Sequence, residues 1–526
     1  MKKESIIWLC LSIIIVSSVL MLMFREAFWH PGDFLFSPSG DGLRSYMSMA
    51  WQLNYGTGSW HEMFHYPTGN HLLYVDIDPF LLGILNILQS FGIGFEPDSV
   101  VGILNGIMIM GFIPSAIFLF LIGKELFFPS WYAALIAVCL TFMAPQVDRL
   151  TGHFAMAQLW ILPAMIFALF KWQHSGFKSV WLIFYFVVSI MAAWMHPYFG
   201  LISGALLMIW SLRLLLQDQS FGQQPTIKKW VPFVVALIPT LSLSVWKATT
   251  FQGPDDFVSA PFGLTHYSAG FESVFLPSYG PIRLALDYFP IRHYTSEGYA
   301  YVGLTGLFVL LFLIGSWIRQ KWFHHQPLAL SLPLPLSSIL WTGTILLIPA
   351  FAIPFKWVPI LQELLGPIQQ FRSMGRLAWV FFYGFTFLSA WIILNKWFEP
   401  IKKRNAGLAM LLLIGVTSIW LLEGYFLMKD KAEFILSQNK KNLYPEWSIK
   451  WNDILDEAGY PSSSFQAIVA LPFFHTGSEK FFQPSWLSER YSQMIAIQTG
   501  IPIIENFTAR ASLSASRKSI QLISHP

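Results

Sequence analysis

The stretch DFLFSPSGDGLRSYMSMAWQLNYGTGSWHEMFHYPTGNHLLYVDID, Asp33–Asp78, decides how the rest of the chain is read. It is a polar and aromatic island between two strongly apolar tracts, and it gathers Asp41, Glu62, Asp76 and Asp78 in one loop. A connection this long with no hydrophobic span of its own is usually functional rather than connective. The flanking runs, 5–24 before it and 99–122 after it, are long enough to cross a bilayer as helices. The loop therefore reads as a site held at the surface of a membrane-embedded body.

Composition supports that reading. The chain is 55% hydrophobic and 12% charged, with a mean hydropathy of +0.52. Ordinary soluble domains carry about twice that charge, which excludes a soluble enzyme. The 48 Phe and 23 Trp suit lipid-facing walls and interfacial belts. Net charge is +4 and the longest basic run is Lys402-Lys403-Arg404, so nucleic acid is not the expected partner. Cys10 and Cys139 both fall in apolar runs, which argues against a disulfide scaffold or a Cys-ligated metal. Lys2-Lys3 precede an apolar run with no small-x-small pattern before Arg25, as in an uncleaved signal anchor.

Eleven spans are expected, near 5–24, 99–122, 129–146, 154–171, 179–196, 198–216, 230–249, 301–318, 337–355, 376–396 and 406–426. The run 79–94 is short and broken by Gly92 and Gly94, so it reads as re-entrant or interfacial. The fold class is then mainly α, a polytopic helix bundle over residues 1–426 with a large first outer loop, 25–98, carrying surface helices. A second long loop, 250–300, is placed to act as an outer lid. Residues 427–526 are more polar, with strand-like runs at Ala467–Phe474, Met494–Gln498 and Ile501–Glu505. They read as a small extracytoplasmic α/β domain, and the chain stops soon after the last run, as an incomplete domain would.

Short basic loops belong on the cytoplasmic side. With the N-terminus inside, Lys2, Lys3, Lys124, Lys171, Lys178, Arg213, Lys228, Lys229, Arg319, Lys321, Lys396 and Lys402–Arg404 all fall there. Ten of the thirteen histidines then lie on or near the outer face: His30, His61, His65, His71, His153, His196, His266, His293, His475 and His525. Asp41, Asp76, Asp78, Asp148, Arg149, Arg292, Arg372 and Arg376 join them. One face is chemically equipped; the other only turns the chain.

Several motifs on that face carry chemistry, each with a plainer alternative. Ser39-Gly40-Asp41-Gly42 precedes Leu43, Met47, Ala50, Trp51 and Asn54 at helical spacing, which predicts an amphipathic helix on the membrane surface. Asp41 is then either a site acid or an N-cap. Asp76 and Asp78 point the same way if extended, and could hold a divalent cation or a sugar hydroxyl. Asp78 followed by Pro79 also reads as a helix cap, leaving Asp76 the better site candidate. His61-Glu62-Met63-Phe64-His65 matches H-E-x-x-H, but Gly56, Gly58 and Pro67 leave little room for the helix a zinc protease needs. Asp148-Arg149-Leu150-Thr151-Gly152-His153 and His196-Pro197-Tyr198 sit at span ends, where an ionisable residue is a functional candidate. Arg372 and Arg376, four apart, suit phosphate or serve as snorkelling anchors. The loop Phe251–Tyr299 adds His266 among further acids and bases.

Taken together, Gly40-Asp41-Gly42, Tyr66-Pro67-Thr68-Gly69 running to Asp76-Ile77-Asp78-Pro79, Gly152-His153 and Phe371-Arg372 with Arg376 resemble the C-type glycosyltransferase (GT-C) superfamily, and look most like uncharacterised bacterial members. The architectural likeness covers nearly the whole chain, while no single motif is specific. It implies about seven conserved core spans in a bacterial cytoplasmic membrane. It also implies transfer of a sugar from a polyprenyl-phosphate-linked donor to a glycan, lipid or protein acceptor on the extracytoplasmic side. Asp41 becomes the first-loop catalytic acid/base and Asp76-Ile77-Asp78 the D-x-D-like element; two acidic positions compete, which departs from the usual pattern. His153, His196, His266, Arg372 and Arg376, with Asp78, are the expected substrate-binding residues. The competing readings are a lipid-linked sugar flippase or transporter, which the near-absence of Asp and Glu inside the spans argues against, and a non-catalytic envelope-assembly protein.

Overall fold

The computed structural model describes residues 2–259, 261–289, 296–323, 330–476 and 486–522. Arg292, His293 and His525 of the expected outer face lie outside them. Among the described residues, eight helices are long and apolar enough to cross a membrane. They are Lys3–Phe24, Pro97–Glu125, Ser130–Thr151, Pro197–Gln217, Thr226–Thr250, Gly303–Trp322, Met374–Lys402 and Ala406–Ser437. The protein is a polytopic helical membrane protein.

The three other spans expected from sequence are shorter helices, Ile161–His174, Ser179–Met195 and Leu334–Ala350. At 1.5 Å per residue, a helix of about 17 residues reaches about 25 Å, at the lower limit for spanning. The run 154–171 is shortened because its first residues, Phe154–Ala157, form a 3₁₀ turn. Pro79–Ser90 is a 12-residue helix, capped by Asp78, whose carboxylate accepts from the Leu81 N–H at 2.9 Å. The last long helix runs to Ser437, past the expected boundary at 426.

Two apolar clusters hold the bundle. One joins Ser130–Met143, Ile161–His174, Ser179–Met195, Pro197–Gln217, Leu334–Ala350 and the buried Met374–Lys402 helix. The other joins the first span to the first loop and to Pro97–Met110.

The first loop differs from expectation in its helix: Gly40–Asn54 does not lie on the surface. Residues 42–53 are all buried. Tyr46, Met49, Ala50 and Leu53 pack toward the bundle, while Leu43, Met47 and Trp51 meet Met494, Ile497 and Phe507 of the tail. Sequence periodicity sees an apolar stripe but not the segment that covers its other flank.

The tail also corrects an expectation. Met494–Gln498 is part of the helix Trp486–Thr499, not a strand; a short apolar run cannot distinguish the two. Ala467–Phe474 and Ile501–Glu505 lie side by side but share only an isolated bridge, at Ile468–Ile503. Pro472 and Pro502 deprive each run of an N–H that a ladder would use. The tail instead pairs with the first loop. Ile503 N–H donates to Met63 O at 2.6 Å, and Tyr66 N–H returns to Ile503 O at 3.0 Å. His65 N–H donates to Glu505 O at 3.0 Å. Residues about 440 positions apart in sequence therefore form one head on the bundle.

Candidate active site

Two close approaches position the site. Gly42, one residue after Asp41, faces the segment that follows His153; a Cβ there would lie 2.9 Å from Phe154 Cζ and overlap Ser37. Only glycine lets the 153–154 turn settle against the first-loop helix, which brings His153 to Asp41. Gly375 passes Gly298 so closely that its Cβ would lie 2.7 Å from Gly298 Cα. That contact sets Glu297, from the 250–300 loop, beside Arg376.

The result is one charge network. Arg44 Nη2 lies 2.6 Å from Asp41 Oδ1 and 3.4 Å from Asp76 Oδ2. His153 Nδ1 lies 3.3 Å from Asp76 Oδ2, and its Nε2 lies 3.5 Å from Asp41 Oδ2 and 3.3 Å from Glu297 Oε1. Glu297 is held by Arg149 Nη1 at 2.9 Å and by Arg376 Nη2 at 2.5 Å. Asp148 in turn pairs with Arg149 at 2.8 Å and Lys431 at 2.9 Å, and accepts from the Tyr279 hydroxyl. Arg376 stacks 4.4 Å over the Tyr198 ring, and His196 Nε2 stands 3.9 Å from Asp76 Oδ1.

Burial makes these charges interdependent. Asp41 is the exception, with 43% of its side chain exposed, against 9% for Asp76 and 3% for Arg44. Burial works against the ionised Asp76, yet His153 and Arg44 outweigh it and hold its carboxyl well below the usual range. Glu297 is held low in the same way, burial being overcome by Arg149 and Arg376. His153 loses solvation too, but Asp76 and Asp41 push it up to about 9. His196, its ring centroid 6.4 Å from that of His153, goes the other way: burial and then Arg376 lower it to about 3. One histidine is a cation at neutral pH and its neighbour is neutral. Such divergence between adjacent groups separates donor from acceptor roles.

Of the residues singled out from sequence, Asp41, Asp76, Asp148, Arg149, His153, His196 and Arg376 meet here. Arg372 lies half-buried beside the 250–300 loop, its Cβ 2.8 Å from where a Gly263 Cβ would sit. His266 is exposed, its ring against Phe262 and Tyr267. Asp78 does not join Asp76. The Asp76 backbone has φ 51°, a left-handed conformation unusual for a non-glycine residue, so the segment is not extended. Asp76 turns into the network and Asp78 toward the helix it caps, where burial raises it to about 7. The D-x-D pair is thus not a pair. Among the described residues no group of three or more His, Cys, Asp or Glu side chains is arranged to hold a metal ion.

The H-E-x-x-H stretch is not a helix. His61 ends a two-residue strand and bonds Gln52 through Nδ1 at 2.9 Å, Glu62 is exposed, and His65 has φ 66°. The histidines share no face.

Sequence reasoning missed Arg44 and Glu297. Arg44 was legible as the i+3 partner of Asp41 on a helix. Glu297 carries no local signal; only the Gly298–Gly375 contact reveals it. The tail was missed as well: Arg44 Nη1 donates to Phe507 O at 3.0 Å, and its guanidinium lies 4.9 Å over the Phe507 ring.

The fold and this network together define a polytopic helical membrane protein with a buried charge network at one end. Among solved structures the chain is similar to the oligosaccharyltransferase of Archaeoglobus fulgidus in the apo form, with TM-score 0.53 and 12% identity over 96% of this chain and 65% of that one. It is similar to AglB of the same organism in complex with an inhibitory peptide and a dolichol-phosphate, with TM-score 0.52 and 12% identity over 96% and 65%. A weaker likeness, TM-score 0.48 at 9% identity over 97% and 87%, is to ArnT from Cupriavidus metallidurans bound to undecaprenyl phosphate. At these identities the likeness is one of fold, and the chain spans 65% of the length of the archaeal structures. The chain belongs to the family described as Domain of unknown function (DUF6311), whose model matches residues 10–439. No curated protein matches it.

Proposed function

We propose that the protein transfers a sugar from a polyprenyl-phosphate-linked donor to an acceptor hydroxyl or amide on the extracytoplasmic face of a bacterial cytoplasmic membrane. The observation that carries this reading is the partly exposed Asp41 carboxylate at the edge of a buried cationic group formed by Arg44, His153, Arg149 and Arg376. The archaeal structure of similar fold holds a dolichol-phosphate, a ligand of the same class as the proposed donor.

Asp41 takes the proton of the acceptor as its oxygen or nitrogen attacks the anomeric carbon. The bond from that carbon to the phosphate oxygen breaks, and the polyprenyl phosphate leaves with the electron pair, inverting the centre. The charge that grows on the phosphate is met by the protonated His153 and nearby guanidinium groups. A phosphate leaving group needs little protonation at neutral pH, so one carboxylate suffices. Asp76 is too strongly engaged by cations to act as a base; it is a positioning residue that keeps His153 charged. Arg372, Arg376 and His196 border the donor.

The test is incubation of the purified protein with radiolabelled polyprenyl-phosphate sugars. Transfer, or slow donor hydrolysis, that is lost in Asp41→Asn supports the reading. Leaflet exchange of the lipid without either reaction defeats it in favour of a flippase.

A further inference from the structure

Away from the charge network, the far end of the Gly40–Asn54 helix opens into a cleft of about 510 Å³. Thirteen residues separate Asn54 from Asp41, which at 1.5 Å per residue places the cleft about 20 Å along the same helix. Its size falls in the range of ligand sites, but its walls are polar where such sites are usually apolar.

Three separate parts of the chain build it. The first loop contributes Asn54 and Tyr55, the start of the Pro97–Met110 helix contributes Glu96 and Asp98, and the tail contributes Trp447, Lys450, Asp453 and Gln498. The tail fixes the shape. Tyr55 donates its hydroxyl to Gln498 O at 3.0 Å, and Gly500 lies against its ring, where a Cβ would come within 2.9 Å. Tyr55 nevertheless stays 41% exposed. Trp447 is held by its indole N–H donating to Asp98 Oδ1 at 2.6 Å, and Asp98 is neutralised by Lys440 at 2.7 Å. By contrast Glu96, Lys450 and Asp453 form no ion pair with any described residue, although all three are exposed in the cleft.

We propose that this cleft is a glycan-binding subsite, which takes a neutral oligosaccharide belonging to the acceptor. The choice of ligand rests on the glycosyl-transfer reading; the cleft does not. Fixed aromatic rings offer flat apolar faces, while side-chain amides donate to and accept from ring hydroxyls, and unpaired carboxylates accept from them, in numbers an apolar ligand could not use. The two unpaired carboxylates outnumber the one unpaired cation, Lys450, and so disfavour an acidic glycan. A subsite one helix length from the reacting carboxylate holds an acceptor by a part that does not react, so that its binding energy orients the end that does.

The test uses the full-length Asp41→Asn protein in lipid nanodiscs, free of maltoside detergent, so that binding is read without turnover. Saturation-transfer NMR is recorded with maltohexaose, chitohexaose and mannohexaose, with an oligogalacturonate, and with a Lys-rich decapeptide. At least one neutral hexasaccharide is expected to bind saturably, and the exposed double variant Glu96→Ala/Asp453→Ala should weaken it at least tenfold. Tyr55→Ala, read in parallel with the melting temperature, should do the same. Binding that is unchanged by these variants, binding of the peptide or the acidic glycan alone, or no binding of any hexasaccharide overturns the proposal. Hexasaccharide binding with no sugar transfer by the wild-type protein would instead remove the proposed reaction and leave the subsite standing.

Discussion

The two ends of the helix bundle carry charge in different ways. At one end Lys171 and His174 meet Glu125 at 3.0 and 2.9 Å, but Lys171 stays 34% exposed. Arg213 there simply donates to the hydroxyls of Ser337 and Ser338. At the other end Arg44, Arg149, Arg376, Asp76 and Asp148 all have side chains 9% exposed or less and are linked into a single network. Moving a charge out of water costs several kcal/mol even after relaxation, and pairing roughly offsets that cost, so an assembly of this kind is poor evidence for stability. A fold that retains it at one end only is using it for something else.

Arg44→Ala should break that contrast most sharply. It leaves the buried Asp76 and its neighbour Asp41 with His153 alone as the cation they share, and should cost about 3–5 kcal/mol of stability as well as the proposed activity. Lys171→Ala at the opposite end should cost no more than about 1 kcal/mol. Denaturant titration of both variants in the same detergent checks this; equal losses would mean that the two ends do not differ as described.

Asp41→Asn should separate chemistry from architecture. A general base contributes about 10²–10⁴-fold in rate, whereas the partly exposed carboxylate contributes less to folding than the buried Arg44 it pairs with. Turnover should therefore fall while the melting temperature stays close to that of the wild type.

The third effect depends on pH. His153 has its pKa raised from 6.5 to about 9, so its charge stabilises the folded protein fully below about 6.5 and that contribution disappears as pH rises through about 9. Melting temperature and transfer should both decline over this window. His153→Gln should flatten the stability decline, and an unchanged profile in that variant would mean another group titrates.

Two smaller effects sharpen the boundaries of the network. Phe507→Leu keeps most of the volume but removes the ring beneath Arg44, and should cost about 1 kcal/mol, with a lower rate at saturating substrate. No rate change would make the tail's contact merely structural. Asp78→Asn should be nearly silent, since Asn caps a helix as well as Asp does. Loss of transfer in that variant would restore Asp76 and Asp78 as a functional pair.

Much of this was legible in the chain as written. Glycines around Asp41, acids and histidines at span ends, and arginines opening the span at Met374 all marked the face where the network forms. The reason is that buried or interfacial charges are expensive in a membrane protein, so they stand out against apolar runs. Of the two readings of Asp76-Ile77-Asp78, the cap at Asp78 is present, while the paired carboxylates required extended backbone, and one left-handed residue turns them apart. The strand expected at Met494–Gln498 failed because five apolar-rich residues fit either period. Glu297 was invisible because nothing near it in sequence distinguishes it from other loop acids.

The sequence by itself determined a membrane-spanning helical body and the chemistry available at one end of it, since hydropathy over span length and charge at span ends are local properties. Only the tertiary structure decided which of those charges meet. That depended on two glycine contacts, 42 with 154 and 298 with 375, and on a tail that folds back over four hundred residues to cover Arg44. Pairings of that range depend on the shape of the assembled helices, and no window along the chain contains them.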